Sequence, residues 1–407
     1  MPDTAPGAAL ASALAPALAN EALDVVELTR DLIRCQSVTP VEGGALQLLE
    51  RTLAPRGFTC ERMDFTQEGT PDVANLYARI GTGGRHFCFA GHSDVVPVGD
   101  LSAWTVGPFG AELDKGVLFG RGAVDMKGGI AAFCVAASEF IAARGRDFGG
   151  SISLLITGDE EGPAINGTVK MLKKLAARGE TIDACVVGEP TSAERFGDMM
   201  KIGRRGSVNV DLVVRGTQGH VAYPHLIDNP IHRLSKLIEA LIATPIDTGS
   251  THFQSTSLQW TNVDVGNSAD NIAPGTLRAR FNSRFNDLWT SDKLIAEFRR
   301  RLDAANAAVG GDGGYEMKAR VSGESFYTAP GELSSLIGDA VREVTGLEAE
   351  LSTTGGTSDA RFIRSYCPVV EFGLVGQTLH KVDERSTVAD LQALAKVYRL
   401  MLDRYFA

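Results

Sequence analysis

His92, Asp125, Glu161, Glu189 and His380 are of the side-chain types that hold metal ions, and they are spread over most of the chain. Four of them stand in or just after short apolar runs that end in glycine-rich turns, and His380 comes from near the far end. A donor set gathered from so many separate segments can be assembled only by a fold, as the sites of hydrolytic metalloenzymes usually are. Two histidines and three carboxylates suit zinc, and cobalt or manganese can use the same donors. Asp125 has two oxygens and so can bridge two ions spaced about 3.5–4 Å apart. Such a pair lowers the pKa of a shared water and polarises a carbonyl, so the expected chemistry is hydrolysis of an amide by a metal-bridging hydroxide.

Adjacent side chains on a strand or turn point different ways, which lets Glu160 carry the proton while Glu161 binds metal. In His92-Ser93-Asp94 the outer two side chains share one side of an extended segment, so Asp94 is placed to orient His92 through its second ring nitrogen. Taken singly, each residue has a plainer reading. His92 is then a satisfied histidine at a turn, Asp125 an ordinary helix N-cap, and Asp159-Glu160-Glu161 a solvated acidic turn. Their repeated placement after apolar runs favours the metal site.

The elements that must position them follow from hydrophobic pattern. Phe87–Val96 reads as a buried strand with His92 towards its C-terminal end; Ile152–Ile156 is followed by Gly158-Asp159-Glu160-Glu161, and Ala184–Val187 by Gly188-Glu189-Pro190. Open α/β sheets place ligands beyond the carboxyl ends of their strands, so these three runs can serve one crevice. Helical stretches at Lys127–Ala143 and Gly167–Ala177 alternate with them, two helical patterns cover Ala22–Arg56, and a strand at Val369–Phe372 precedes His380. This predicts an α/β catalytic domain with a mostly parallel sheet flanked by helices. After Gly203 the pattern changes to a strand at Ser207–Arg215, a helix opening at Asn229-Pro230, strands at Phe253–Val263 and Gly275–Phe285, a helix at Ser291–Ala307 and a strand at Tyr315–Val321. That β-α-β-β-α-β order predicts an inserted ferredoxin-like α+β domain over 206–321, with the catalytic domain formed by 22–205 and 322–407.

With 407 residues, 44% of them hydrophobic and 22% charged, the chain has material for two cores and is not of disordered composition. The net charge of -10 and the lack of any block of Lys and Arg exclude a nucleic-acid partner and favour a small substrate. Six scattered cysteines without a Cys-x-x-Cys pair read as reduced core thiols in a cytoplasmic protein. Residues 1–21, rich in Ala and Pro, lack a basic start and a sustained apolar stretch, so neither a secretory leader nor a membrane span is expected. They read as a loose extension, with a short alanine-rich surface helix as the alternative.

From about Val25 to the C-terminus the chain resembles the succinyl-diaminopimelate desuccinylases, within the wider family that includes acetylornithine deacetylase, aminoacylase and glutamate carboxypeptidase. The segments shared with the wider family are Gly91-His92-Ser93-Asp94-Val95-Val96-Pro97, Gly120-Arg121-Gly122-Ala123-Val124-Asp125-Met126-Lys127-Gly128-Gly129, Gly158-Asp159-Glu160-Glu161-Gly162 and Gly188-Glu189-Pro190-Thr191. Ser93 stands where threonine is usual, a departure that touches no ligand. The resemblance implies two zinc ions per subunit, with cobalt an option in one or both sites. Asp125 would bridge them, His92 and Glu189 would complete one site, and Glu161 and His380 the other. It implies Glu160 as the general acid/base, Asp94 as the residue orienting His92, and homodimerisation through the inserted domain.

Three further segments carry the likeness to the desuccinylases themselves: Gly203-Arg204-Arg205-Gly206-Ser207, Gln218-Gly219-His220-Val221-Ala222-Tyr223-Pro224-His225 with Asn229-Pro230-Ile231-His232, and the stretch Thr353–Phe362 containing Gly355-Gly356-Thr357. His220 matches the histidine that reaches across the dimer into the neighbouring active site and stabilises the tetrahedral oxyanion. The implied substrate, N-succinyl-L,L-2,6-diaminopimelate, carries three carboxylates, for which guanidinium groups are apt partners. Arg204 and Arg284 are the candidates, with Ser207, Tyr223, Asn271 and the Gly355-Gly356-Thr357 turn as further donors. The plainer reading of Arg284 is a strand arginine paired with an acid, and of the two glycines a tight turn. The implied products are succinate and L,L-2,6-diaminopimelate, a step of lysine and diaminopimelate biosynthesis. Acetylornithine deacetylase, or another N-acyl amino acid hydrolase of the same family, is the alternative. Of the seven histidines, His86, His225, His232 and His252 are expected to be structural or solvent-facing.

Overall fold

The computed structural model describes residues 22–407, and the expectation for residues 1–21 lies outside that range. The chain divides into two units. One takes the described residues as far as Ile202, with Thr328–Ser352 and Ser358–Ala407; the other takes Gly203–Tyr327 and Thr353–Thr357.

In chain order the first unit opens with α1 (Val25–Arg34), α2 (Ala45–Leu53), β1 (Thr59–Arg62), β2 (Leu76–Ile80), β3 (His86–His92), β4 (Glu112–Asp114), β5 (Val117–Phe119) and α3 (Lys127–Arg144). It continues with β6 (Ser151–Thr157), α4 (Thr168–Ala177), β7 (Ala184–Val187) and β8 (Met199–Lys201). The second unit holds β9 (Gly203–Arg204), β10 (Gly206–Arg215), β11 (Gly219–His220), α5 (Pro230–Ile242), β12 (Ser257–Asp264), β13 (Ile272–Ala273), β14 (Thr276–Phe285), α6 (Ser291–Val309), β15 (Gly314–Gly323) and β16 (Phe326–Tyr327). The first unit is then completed by α7 (Glu332–Thr345), β17 (Glu350–Ser352), α8 (Ala360–Ile363), β18 (Val369–Glu371), β19 (Arg385–Thr387) and α9 (Val388–Tyr405).

The main sheet of the first unit runs β1-β2-β6-β3-β7-β18-β8-β17. Its centre, β6-β3-β7-β18, is parallel. The pairings of β1 with β2, β2 with β6 and β18 with β8 are antiparallel, so the sheet is mixed. Every residue of β3, β6 and β7 is buried, as continuous apolar strands covered on both faces must be. Helix α3 has no polar stripe because it is enclosed, with α1 and α9 among its packing partners. Phe133 of α3 stacks on Phe89 and Phe87 of β3 with ring centroids 4.5 and 6.3 Å apart, and Tyr398 of α9 meets Phe133 edge-on at 5.7 Å. The helix that begins two residues after Asp125 and the strand that ends at His92 are thus fastened to each other. A smaller antiparallel sheet, β19-β5-β4, was not apparent from the pattern, because its strands are three residues each and largely exposed. It sets Arg385–Thr387 beside Val117–Phe119.

The second unit is an antiparallel sheet ordered β12-β14-β10-β15 with α5 and α6 in the β-α-β-β-α-β sequence of ferredoxin-like folds. Alternate residues of β10 (Val208, Val210, Leu212, Val214) meet Leu277, Ala279, Phe281 and Phe285 of β14 and the leucines of α5 and α6. Strand β12 begins at Ser257, later than Phe253, because the Asp247 carboxylate ties the preceding residues into a loop through the N–H groups of Gly249 and Thr256. The ends of this unit are neighbours: β9 pairs with β16. Immediately outside it, the Thr328 N–H donates to the Ile202 carbonyl at 2.7 Å. No helix among the described residues is long and apolar enough to cross a membrane.

Candidate metal centre

Parallel register places three strand ends side by side. His92 of β3 lies opposite Thr157 of β6, and Ala90 opposite Val187 of β7. Glu160 and Glu161 follow three and four residues after Thr157, and Glu189 two after Val187, so all emerge at the same edge of the sheet. Asp125 arrives from the loop before α3, and His380 from the loop before β19.

The two oxygens of Asp125 face opposite ways. Oδ1 lies 3.0 Å from Nε2 of His92, which is 3.8 Å from Oε1 of Glu189. Oδ2 lies 3.1 Å from Nε2 of His380, which is 2.9 Å from Oε1 of Glu161. The ligand atoms therefore form two overlapping clusters, His92–Asp125–Glu189 and Asp125–Glu161–His380, joined through one carboxylate. A further grouping, His92–Glu160–Glu161, also lies close enough to share an ion.

The spacing fits metal. Two donors each about 2.0–2.1 Å from a tetrahedral zinc stand about 3.3 Å apart, and the observed separations bracket that figure. Charge fits as well: Asp125 and the side chains of Glu161 and Glu189 are buried, and buried carboxylates in such number call for cations. Without an ion, protons take that place. Burial opposes a charged His92, but its hydrogen bond to Asp125 and the charges of Asp125, Glu189 and Glu160 raise its pKa well above the ordinary value. Hydrogen bonds to Asp125 and Glu161 push His380 up to about 10. Burial would raise Asp125, yet the two histidines hold its carboxyl well below the usual range.

Glu160 is half-buried beside the clusters. Burial, then the charge of Glu189, with Asp359 and Glu161 adding and His92 opposing, lifts its carboxyl well above the ordinary value. A carboxyl raised in this way keeps its proton more readily than an ordinary glutamate, which suits proton transfer.

Asp94 works differently from the expectation. His92 Nδ1 donates to the main-chain carbonyl of Asp94 at 2.9 Å, while the nearer carboxylate oxygen is 3.7 Å away. The carboxylate instead accepts the N–H groups of Glu160 (3.3 Å) and Glu161 (3.1 Å), because that turn leaves its amides without a strand partner. Burial pushes Asp94 up to about 6, with His92 opposing.

The remaining expected residues all lie in the second unit. Arg204 is buried with Nη1 3.5 Å from the Thr354 carbonyl, and a Cβ on Gly355, at φ +101°, would fall 2.4 Å from that nitrogen. Ser207 is paired across the sheet with Arg284, and Gly356 and Thr357 follow Gly355. Arg284 is half-buried, and the one hydrogen bond of its guanidinium among the described residues is to Asn282 Oδ1 at 3.0 Å. It has no acid partner there, so the plainer ion-pair reading does not apply. Burial and then the charge of Arg205 lower its pKa. His220 and Tyr223 are exposed, their rings 5.8 Å apart, and Asn271 accepts the Val221 N–H through its carbonyl. His86 is structural as expected, bonded to the Thr181 carbonyl and Ser153. His225 and His232 are exposed, and His252 stacks on Tyr327.

Sequence reasoning passed over Arg121 and Glu384, a buried ion pair beside Asp125, and Asp359, which faces Glu160. It also passed over Arg205, whose Nε is buried without a hydrogen-bond partner among the described residues. The only signal for the pair is its spacing, four residues before Asp125 and four after His380.

An α/β unit whose strand ends converge on two groups of side chains able to hold metal ions, with a raised-pKa carboxyl alongside, has the make-up of a metallohydrolase. The chain belongs to peptidase family M20/M25/M40, whose description matches residues 88–404. It is 60% identical over 384 residues to the succinyl-diaminopimelate desuccinylase of Parvibaculum lavamentivorans, covering 94% of this chain and 96% of that one. Identity is 54% to the enzyme of the same name from Rhodospirillum centenum, with 94% and 98% covered. Among solved structures, the M20 family metallo-carboxypeptidase Sso-CP2 of Sulfolobus solfataricus matches with a TM-score of 0.76 at 18% identity, covering 94% of this chain and 99% of that one. The Bacillus subtilis YXEP protein, a dinuclear metal-binding peptidase of the same family, matches at 0.68 and 16%, with 93% and 96% covered. At such identities these two speak for the fold.

Proposed function

We propose that this chain hydrolyses N-succinyl-L,L-2,6-diaminopimelate to succinate and L,L-2,6-diaminopimelate, with two metal ions held by His92, Asp125, Glu161, Glu189 and His380. The observation that carries the reading is Asp125 turning one oxygen to each histidine. Identity of 60% over 384 residues to a desuccinylase supports the choice of substrate. Zinc fits the nitrogen and oxygen donors best, with cobalt the next choice. When bound, the ions would supply an acidified water and a polarised carbonyl.

The residues of the chain do the rest. Glu160 takes a proton from the attacking water and passes it to the departing amine nitrogen as the amide C–N bond breaks. Asp94 keeps Glu160 and Glu161 facing different tasks by holding both their N–H groups. The carboxylates of the substrate fall to Arg204 and Arg284, assisted by Ser207, Tyr223, Asn271 and the amides of Gly355, Gly356 and Thr357. Arg284 suits this role because it is half-buried with no acid partner among the described residues.

The second unit, in this reading, joins two copies into a homodimer and presents His220 to the neighbouring site as oxyanion donor. His220 Nδ1 accepts the Ala222 N–H at 3.1 Å, which fixes the proton on Nε2 and leaves that nitrogen to donate outward. The six free cysteines suit a reducing compartment, the cytoplasm.

Purified protein should be assayed on N-succinyl-L,L-diaminopimelate and on acetylornithine, with metal content measured before and after chelation. A tenfold preference for acetylornithine overturns the substrate. Undiminished turnover after complete chelation overturns the metal reading.

A further inference from the structure

We infer that the buried Arg121–Glu384 pair is a positioning device that sets Asp125 and His380 for metal binding. This rests on the two-ion reading above. Glu384 is fully buried, and its Oε1 accepts three main-chain N–H groups, from Gly122 (3.1 Å), Val124 (2.9 Å) and Asp125 (3.1 Å). Its Oε2 takes Nη1 of Arg121 at 2.8 Å, and its main-chain carbonyl accepts the Gly120 N–H at 2.8 Å. One residue thus grips the loop 120–125 from end to end, including the amide of the bridging ligand itself.

Arg121 extends the grip. Its Nη1 also donates to the Lys381 carbonyl at 3.1 Å, its Nη2 reaches the Pro97 carbonyl at 3.5 Å, and its guanidinium lies over Trp104 at 5.2 Å. The segments that carry His92, Asp125 and His380 therefore meet on a single ion pair. The last of them needs holding: His380 (φ +59°) and Asp383 (φ +55°) lie in the left-handed region, which side-chain-bearing residues adopt only when their surroundings hold them there. The turn is closed by Thr378 and Arg385, bonded to each other at 3.0 and 3.1 Å, and by the β19–β5 pairing.

Stability alone is a poor account of the pair. Burying an ion pair can cost as much desolvation as its attraction returns, and an apolar pair of similar volume often holds a fold as well. Converging N–H groups, by contrast, fix direction. Residues that orient ligands from behind typically govern metal affinity by 10–100-fold.

The test uses full-length protein with Glu384→Gln and, separately, Arg121→Lys. Zinc affinity and stoichiometry are read by competition with a chromophoric chelator, the ligand field by the absorption of the cobalt-loaded protein, and the fold by melting of the metal-free protein. Glu384→Gln keeps the volume and removes the negative charge that faces Arg121. Zinc affinity should fall by about 10–100-fold, first for the ion held by Asp125, Glu161 and His380, and the cobalt spectrum should change. Arg121→Lys keeps one bond to Glu384 but cannot reach Pro97 and Lys381 together, so its affinity should lie between the two. Affinity within twofold of the unaltered chain in a variant that folds overturns the inference, whatever the melting temperature does. If Glu384→Gln fails to fold, Arg121→Lys decides on the same criterion. Failure of the two-ion reading looks different: the unaltered chain would then bind fewer than two ions.

Discussion

Replacing Glu160 by Gln tests the division of labour at the centre most directly. Two N–H bonds to Asp94, at 3.3 and 3.1 Å, hold the turn through its backbone, so its path does not depend on the Glu160 side chain. Gln has nearly the same size and can hydrogen-bond in the same place, but it cannot take up a proton. The adjoining glutamates are otherwise engaged. Glu161 is engaged with His380 at 2.9 Å, and Glu189 faces His92 at 3.8 Å. The lost effect is then that of a general acid/base, about 10²–10⁴-fold. At about 1.36 kcal/mol per tenfold this is about 3–5 kcal/mol of barrier. Turnover of succinyl-diaminopimelate, followed by release of the free amine, should fall by that factor, while metal content of the same preparation stays at two ions per chain. A variant fully loaded with metal and within tenfold of the original rate would refute the assignment. Loss of an ion together with the rate would instead make Glu160 a ligand, as its grouping with His92 and Glu161 allows.

Other expectations follow from the same geometry. In the metal-free chain, His380 has its pKa raised to about 10 from an ordinary value of about 6.5, so its charge contributes stability that is fully present below about pH 6.5 and lost as the pH rises through about 10. The metal-free protein should therefore melt lower at pH 10 than at pH 7, and His380→Ala should flatten that difference; an equal drop in the variant removes His380 from the account. Phe133→Ala empties a fully buried site stacked on Phe89 and should cost about 3–5 kcal/mol in denaturant unfolding of the first unit. Gly129→Ala would set a Cβ 2.7 Å from the Gly188 carbonyl, just before Glu189. It should cost about 1–3 kcal/mol and weaken zinc binding, and unchanged affinity would show that Glu189 does not feel this contact.

Three of the candidate donors, His92, Glu161 and Glu189, could be picked out from the chain because they stand at or just after apolar runs, where a strand must end. Ala184–Val187 has the expected bounds, and β6 and α3 differ from expectation by a residue or so. What stayed hidden depended on partners far along the chain. Arg121 and Glu384 are 263 residues apart, and neither is distinguishable from a surface charge by periodicity. The antiparallel flanks escaped notice because β1 is partly exposed and β8 is only three residues long. Asp94 kept its expected place yet uses its carbonyl for His92, a distinction that residue type cannot convey. Arg205, adjacent to a candidate donor, gave no sign of its unpartnered Nε.

The pairing of β9 with β16 bears on how such a chain can be assembled and altered. Since Thr328 returns to within a hydrogen bond of Ile202, the interruption spans no more distance than a hairpin turn does. The entropy of closing a long excursion grows only with the logarithm of its length. An insert that folds with its ends together removes even that cost, handing β17 and β18 to a sheet begun long before them. Any module whose termini meet as closely could be grafted at the same point, and beyond the splice the rest of the chain would register it only at Thr353–Thr357.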